Sequence, residues 1–156
     1  FKQTEKDGIV AKTAASKVAT LFMEELNRPG KKAKKGFYEY PAKGKKYLWP
    51  ELKKHFKPLE QQPDVQEVKD RLLYVQSLET IRTMDEGVVM RPQDADIGSI
   101  LGWGFPPYTG GAISFIDYVG VKAFVKRAEE LAKKHGERFE PSDSLKTKAD
   151  QEKTFY

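Results

Sequence analysis

Cysteine is absent from the 156 residues, which excludes disulfides and thiolate chemistry. Histidine is scarce: His55 and His135 lie far apart, neither has neighbours at ligand spacing, and no zinc or other metal site is expected. No apolar run is long enough to cross a bilayer, and no leader with a small-residue cleavage site is present, so a soluble protein without a membrane partner is expected. Strand and helix patterns do not alternate, which leaves no dinucleotide-binding sheet.

What is present is a chain with 38% hydrophobic and 12% aromatic residues, able to bury one modest core or two very small ones, and one compact domain with an appended arm is expected. The formal charge of +5 raises the question of an anionic partner, but the charge is local. Lys31, Lys32, Lys34 and Lys35 form one cluster and Lys43, Lys45 and Lys46 another, whereas residues 64–96 are rich in Asp and Glu. A solvated lysine-rich surface is the simpler account.

Ala14, Val18, Leu21, Phe22 and Leu26 recur at helical spacing and predict a helix over residues 12–26, ended by Asn27 to Gly30 with Pro29. Phe37, Tyr38 and Tyr40 precede the turn Pro41-Ala42-Lys43-Gly44, and Tyr47-Leu48-Trp49 follow it, which reads as a short aromatic hairpin or arm. Pro50 suits the first turn of a brief helix through Phe56, and residues 57–63 read as a linker. The strongest helix begins at Asp64, an N-cap residue with Glu67 placed for a capping box, and runs to about Glu86 before Gly87. Val65, Val68, Leu72, Val75, Leu78, Ile81 and Met84 are its expected apolar face.

A shorter helix is predicted over 92–101, with Asp94 and Asp96 as surface carboxylates favoured by the helix dipole. A calcium loop would need a further oxygen-bearing side chain where Gly98 stands. Residues 102–111, GWGFPPYTGG, read as a shaped loop rather than regular structure. A dinucleotide fingerprint would need glycine where Pro107 stands, and no Gly-Lys-Ser or Gly-Lys-Thr follows for a phosphate-binding loop. A tight connection between helices is the simpler reading, with ligand contact the other. Helices are then expected over 112–119, with Ile113, Phe115 and Ile116 inward and Gly120 as the break, and over 121–135, with Val121, Phe124, Val125, Ala128, Leu131 and Ala132 inward and Gly136 as the cap. Residues 142–156 read as a polar tail. Trp49 and Trp103 are expected to be packing anchors, and neither histidine has a partner for general-base work. The residues alone thus point to an all-α accessory or dimerisation domain of an enzyme, or to a basic nucleic-acid-binding helical module.

The run from Val68 to Gly87, then Asp94, Asp96 and Gly98, then GWGFPPYTGG, Phe115-Ile116-Asp117 and Gly120, resembles the C-terminal domain of 3-hydroxyacyl-CoA dehydrogenases. The paired glycines and GFPP, with Arg138, Phe139 and Pro141, are most similar to the second of two tandem copies in the multifunctional β-oxidation enzymes. Asn27-Arg28-Pro29-Gly30-Lys31-Lys32, Lys35-Gly36-Phe37-Tyr38-Glu39-Tyr40 and Trp49-Pro50 are similar to the tail of the first copy.

The resemblance implies an all-α helical bundle of the kind shared with 6-phosphogluconate dehydrogenases. On that division, residues 1–63 are the tail of a first copy with hairpin arm and linker, 64–149 a second copy and 150–156 a polar tail. It implies a parent that oxidises 3-hydroxyacyl-CoA with NAD, with or without a fused enoyl-CoA hydratase, in the cytoplasm of a bacterium or in a eukaryotic organelle. Neither the NAD domain nor the catalytic His and Glu pair lies in this chain, so no bound cofactor and no catalytic residue are expected here. Where the family's first copy has an Asn-Arg pair, this chain has Asp70 and Arg71, an anion that disfavours enolate-like charge. Gly104, Phe105, Pro106, Pro107, Gly110 and Gly111 are the candidates for a substrate cleft or an interface, and the expected partners are the NAD-binding domain, the first copy, acyl-CoA and a second copy of the chain.

Overall fold

In the computed structural model, which describes residues 14–156, the aromatic side chains of the N-terminal part gather around Phe22. Two compact units divide the chain, Phe1–Gln62 and Pro63–Tyr156. In the first unit, helix α1 spans Ala14–Thr20 and continues as a π-helical turn over Leu21–Glu25. Residues 12 and 13 of the expected helix lie outside the described residues. Strands β1, Tyr38–Glu39, and β2, Tyr47–Leu48, pair antiparallel with Tyr38 opposite Leu48, which bears out the hairpin. Such a short hairpin needs external packing. Phe37 supplies it, its ring 4.1 Å from that of Phe22, and Phe56, just beyond helix α2 at Leu52–His55, stacks on Phe22 at 6.1 Å.

The second unit is a bundle of five helices: α3 at Val65–Asp85, α4 at Pro92–Gly98, α5 at Ala112–Val119, α6 at Val121–His135 and α7 at Asp143–Asp150. The all-α class holds: among the described residues the hairpin is the sole paired sheet. Asp64 caps α3 by accepting the Glu67 amide at 2.9 Å. The Glu67 carboxylate turns instead to Lys134 and His135, each at 3.0 Å, and ties the start of α3 to the end of α6. Asp70 makes a second tie, accepting from Arg127 Nε at 2.8 Å.

The predicted stripe of α3 is buried in its C-terminal half, where Leu78 and Ile81 lie in the core and Val75 and Met84 pack against it. Val65 and Leu72 are exposed, while Tyr74, Ser77, Leu78, Thr80 and Ile81 are buried. Tyr74, outside that stripe, joins the core: its ring lies parallel to that of Phe124 on α6, 4.2 Å away, and meets Phe115 edge-on at 5.8 Å. The apolar faces of α5 and α6 are buried as their periodicity required. Stacked and edge-on rings of this kind add about 1 kcal/mol per pair beyond area burial.

The tail departs from expectation. Ser142 caps α7, Leu145 and Ala149 are buried, and Phe155 packs on the core. The two apolar positions are four residues apart, one helical face that the surrounding Lys, Thr and Asp residues disguised. No described helix is long and apolar enough to cross a membrane.

Candidate functional site

The connector between α4 and α5 is built around Asp96. Residues Ser99–Trp103 continue α4 as a π-helical turn, so Gly102 and Trp103 belong to a helix and not to the expected loop. Gly104, at φ 79°, turns the chain, and Phe105 drops into the core with 1% exposure. Pro106 is half-buried, and Pro107 opens a short 3₁₀ turn to Thr109. Gly110 and Gly111 then lead into α5.

Asp96 is buried, contrary to its reading as a surface carboxylate. Its Oδ1 accepts the Ile113 amide at 2.7 Å, and its Oδ2 accepts the Ser114 hydroxyl at 2.6 Å and the Tyr156 hydroxyl at 2.8 Å. The Ser114 amide bridges both oxygens at 3.2 Å. A carboxylate on one helix therefore caps the next, where free amides and the helix dipole both favour it. Gly111 makes the approach possible: a Cβ there would sit 2.6 Å from the Asp96 Cα, at a φ of 123° that side chains rarely adopt. Asp94 stays exposed in the first turn of α4, and its pairing with Arg91 at 2.7 Å holds its carboxyl below the usual range.

The C-terminal residues close over the same helix. Asp117 accepts the Phe155 amide at 2.9 Å and the Tyr156 amide at 3.2 Å. Partial burial and the bond to Asp96 push the Tyr156 hydroxyl up to about 12.

An apolar groove of about 430 Å³ lies between α3 and α4. Its α3 wall carries Gln76, Glu79, Thr80 and Thr83; Val89, Ala95, Gly98 and Trp103 complete it, with Asp94 at the edge. Both threonine hydroxyls donate back to helix carbonyls at 2.9 Å, Thr80 to Gln76 and Thr83 to Glu79, a bond that spares the groove a free hydroxyl. Trp103 donates its indole N–H to Gln76 Oε1 at 2.9 Å, yet remains 56% exposed, so it is a groove wall and not the buried anchor expected. Gly104, Phe105, Pro106, Pro107, Gly110 and Gly111 do not line this groove.

In the first unit Arg28 is the organising polar residue. Buried at 9% exposure, it donates to the Gly36 carbonyl and to Glu39 Oε1, both at 2.8 Å, and lies 4.2 Å from the Trp49 ring centroid. Trp49 also receives His55 as a stacked ring at 5.4 Å, which makes it the packing anchor expected. Gly36 is tight here, since a Cβ would meet the Gly30 Cα at 3.0 Å.

Among the described residues no three His, Asp or Glu side chains are grouped to hold a metal ion. The described residues also hold no cradle of the strand-and-helix kind for a dinucleotide. The cradle for its pyrophosphate needs a glycine-rich turn between a parallel strand and a helix, whereas the described strands form one two-residue antiparallel pair and the glycine-rich connector joins two helices.

No family model matches the chain. It is 39% identical over 133 residues to the fatty acid oxidation complex subunit alpha of Vibrio parahaemolyticus, a match that covers 83% of this chain and 18% of the relative. The subunit of the same name from Vibrio cholerae is 37% identical over 131 residues. That of Shewanella putrefaciens is 37% identical over 134 residues and is matched over 19% of its length. This chain is homologous to a C-terminal segment of the fatty acid oxidation complex α subunit. It spans about one fifth of the length of these relatives.

Proposed function

We propose that the chain is the C-terminal helical portion of an NAD-dependent 3-hydroxyacyl-CoA dehydrogenase of fatty-acid β-oxidation. On this reading it is a packing and dimer-like segment that supports the cleft where acyl-CoA meets NAD. The nucleotide and the catalytic residues belong to parts of the parent outside this chain. The 39% identity to an α subunit of a fatty acid oxidation complex carries the reading. The connector supports it, because its side chains are spent on structure: Phe105 fills the core and Gly111 seats Asp96. Asp70 supports it as well, since its carboxylate is engaged by Arg127 and leaves no neutral amide for an oxyanion.

The test is turnover and binding by the isolated chain. Incubation with 3-hydroxyacyl-CoA and NAD is expected to give no NADH above a blank, and calorimetry to show no heat of NAD binding. Measurable turnover would place catalytic groups in this chain and refute the reading.

A further inference from the structure

Residues 28–57 hold eleven of the chain's 28 lysine and arginine side chains and two of its 23 carboxylates, so the rest of the chain is net acidic and the positive charge belongs to one stretch of the first unit. Both carboxylates are engaged inside that stretch, Glu39 by Arg28 at 2.8 Å and Glu51 by Lys54 at 2.7 Å. The fold then gathers the lysines. The 3₁₀ turn at Lys31–Ala33 belongs to the cluster of Lys31, Lys32, Lys34 and Lys35, and the Tyr40 amide donates to the Lys34 carbonyl at 3.3 Å. That bond sets the first cluster beside the start of the hairpin loop, which carries Lys43, Lys45 and Lys46. None of these seven ammonium groups is ion-paired with a described carboxylate, and six of them are exposed. Like charges held together in this way repel one another, and a bound polyanion relieves the repulsion.

The hairpin has two unlike faces. Phe37 and Trp49 turn toward Phe22, their rings 4.1 Å and 6.3 Å from it, and close the inner face. Side chains alternate along a strand, so Tyr38 and Leu48, paired across the ladder, turn the other way, as does Tyr40 two residues on. The Tyr38 and Tyr40 rings are 6.5 Å apart, Leu48 is 56% exposed, and Lys46 Nζ stands 4.6 Å from the Tyr38 ring centroid. Rings rimmed by unpaired lysines are the two elements that hold a single nucleic-acid strand, the cations on its phosphates and the rings under its bases. Residues 31–49 contain no Asn, Gln or Arg, whose planar groups pair with base edges in a duplex groove, so charge and stacking are what the ribbon offers. An anionic membrane fits less well, because the loop Pro41-Ala42-Lys43-Gly44-Lys45-Lys46 has no large apolar side chain to enter the lipid.

We propose that the outer face of the β1–β2 hairpin binds single-stranded nucleic acid without sequence preference, with both lysine clusters on successive phosphates and Tyr40 as the stacking platform. This goes beyond the reading of the chain as a packing segment and does not depend on it.

Fluorescence anisotropy of the full chain with a labelled single-stranded oligothymidylate of about fifteen residues tests it. A dissociation constant of about 1–100 µM is expected near physiological salt, and a slope of log K against log salt of about −3.5 to −5, that of roughly five to seven phosphates neutralised. Lys43→Glu with Lys45→Glu, and Lys31→Glu with Lys32→Glu, should each weaken binding at least about tenfold at about 50 mM salt and flatten the slope. Lys126→Glu with Lys133→Glu, the same change of net charge at exposed positions of α6, should leave binding within about twofold. Tyr40→Leu should weaken binding about fivefold or more while Tyr40→Phe retains it, a split that charge alone would not give. An unchanged near-ultraviolet circular dichroism spectrum in each variant separates loss of binding from loss of the aromatic cluster, and the lysine exchanges carry the test if Tyr40→Leu fails that check. No binding at about 50 mM salt, an equal loss in the α6 control, or a Tyr40→Leu variant that folds and binds as tightly as the unaltered chain would overturn the proposal. So would equal competition, charge for charge, by polyglutamate or by vesicles of phosphatidylserine and phosphatidylcholine in equal parts.

Discussion

Replacing Asp96 by alanine tests the junction on which the second unit turns. The substitution removes a buried carboxylate that accepts from the Ile113 and Ser114 amides, the Ser114 hydroxyl and the Tyr156 hydroxyl. Loss of a helix cap costs about 1 kcal/mol, and each hydrogen bond to a charged acceptor about 1.5–3 kcal/mol when its donor is left buried. The Tyr156 hydroxyl and one Ser114 donor can turn to water, so we expect a total of about 3–5 kcal/mol rather than the full count. No strain is relieved in exchange, because the atoms that Gly111 approaches include the Asp96 Cα, which alanine keeps. Urea melts followed by circular dichroism should show a lower midpoint with an unchanged slope, and thermal melts a fall of roughly 15–30 °C for a unit of this size. Asp96→Asn should cost less, since it keeps one acceptor. A loss below about 1 kcal/mol for Asp96→Ala would refute the assignment of α5's cap to this carboxylate.

Gly111→Ala should cost about 2–4 kcal/mol through the combined clash and positive φ, with Gly104→Ala milder because a Cβ there meets nothing; the same urea melts rank them. Ser77→Ala should stabilise by roughly 1 kcal/mol, for the Ser77 hydroxyl is fully buried in α3 without a hydrogen-bond partner, and a destabilised variant would show a missed partner. Burial and the Asp70 carboxylate push the Tyr74 hydroxyl up to about 12, and Tyr156 is raised to about 12 also, both from 10.0. A raised folded-state value means that stability is fully present below pH 10 and is lost as pH rises toward 12. Tyr156→Phe should flatten that alkaline loss, and an unchanged profile would deny Tyr156 its part.

Much of the fold was legible because it is local. The periodic apolar faces of α5 and α6, the Asp64 cap and the aromatic hairpin depend on residues close in sequence, and the structure has them where the pattern put them. What the pattern missed depends on distant partners. Asp96 looks like a first-turn surface acid until the amides of residues 113 and 114 fold onto it, and only the glycine pair hinted at so close an approach. Helix α3 keeps Leu78 and Ile81 of its predicted stripe in the core, but Val65 and Leu72 stay exposed, and Tyr74, outside the stripe, is drawn in by the ring of Phe124 on α6. Burial of Arg28 was equally hidden, since its acceptors are the Gly36 carbonyl and Glu39, beyond a lysine cluster that drew attention to charge. The groove was not foreseen because Thr80 and Thr83 read as polar, while their hydroxyls turn inward to the helix backbone.

The most direct measurement is an exchange. In the Vibrio parahaemolyticus α subunit, the 133-residue matched segment is replaced by the corresponding residues of this chain, and 3-hydroxyacyl-CoA-dependent NADH formation is compared with that of a subunit lacking the segment. The account predicts dehydrogenase activity in the exchanged subunit and its loss in the shortened one. Full activity without the segment would contradict it.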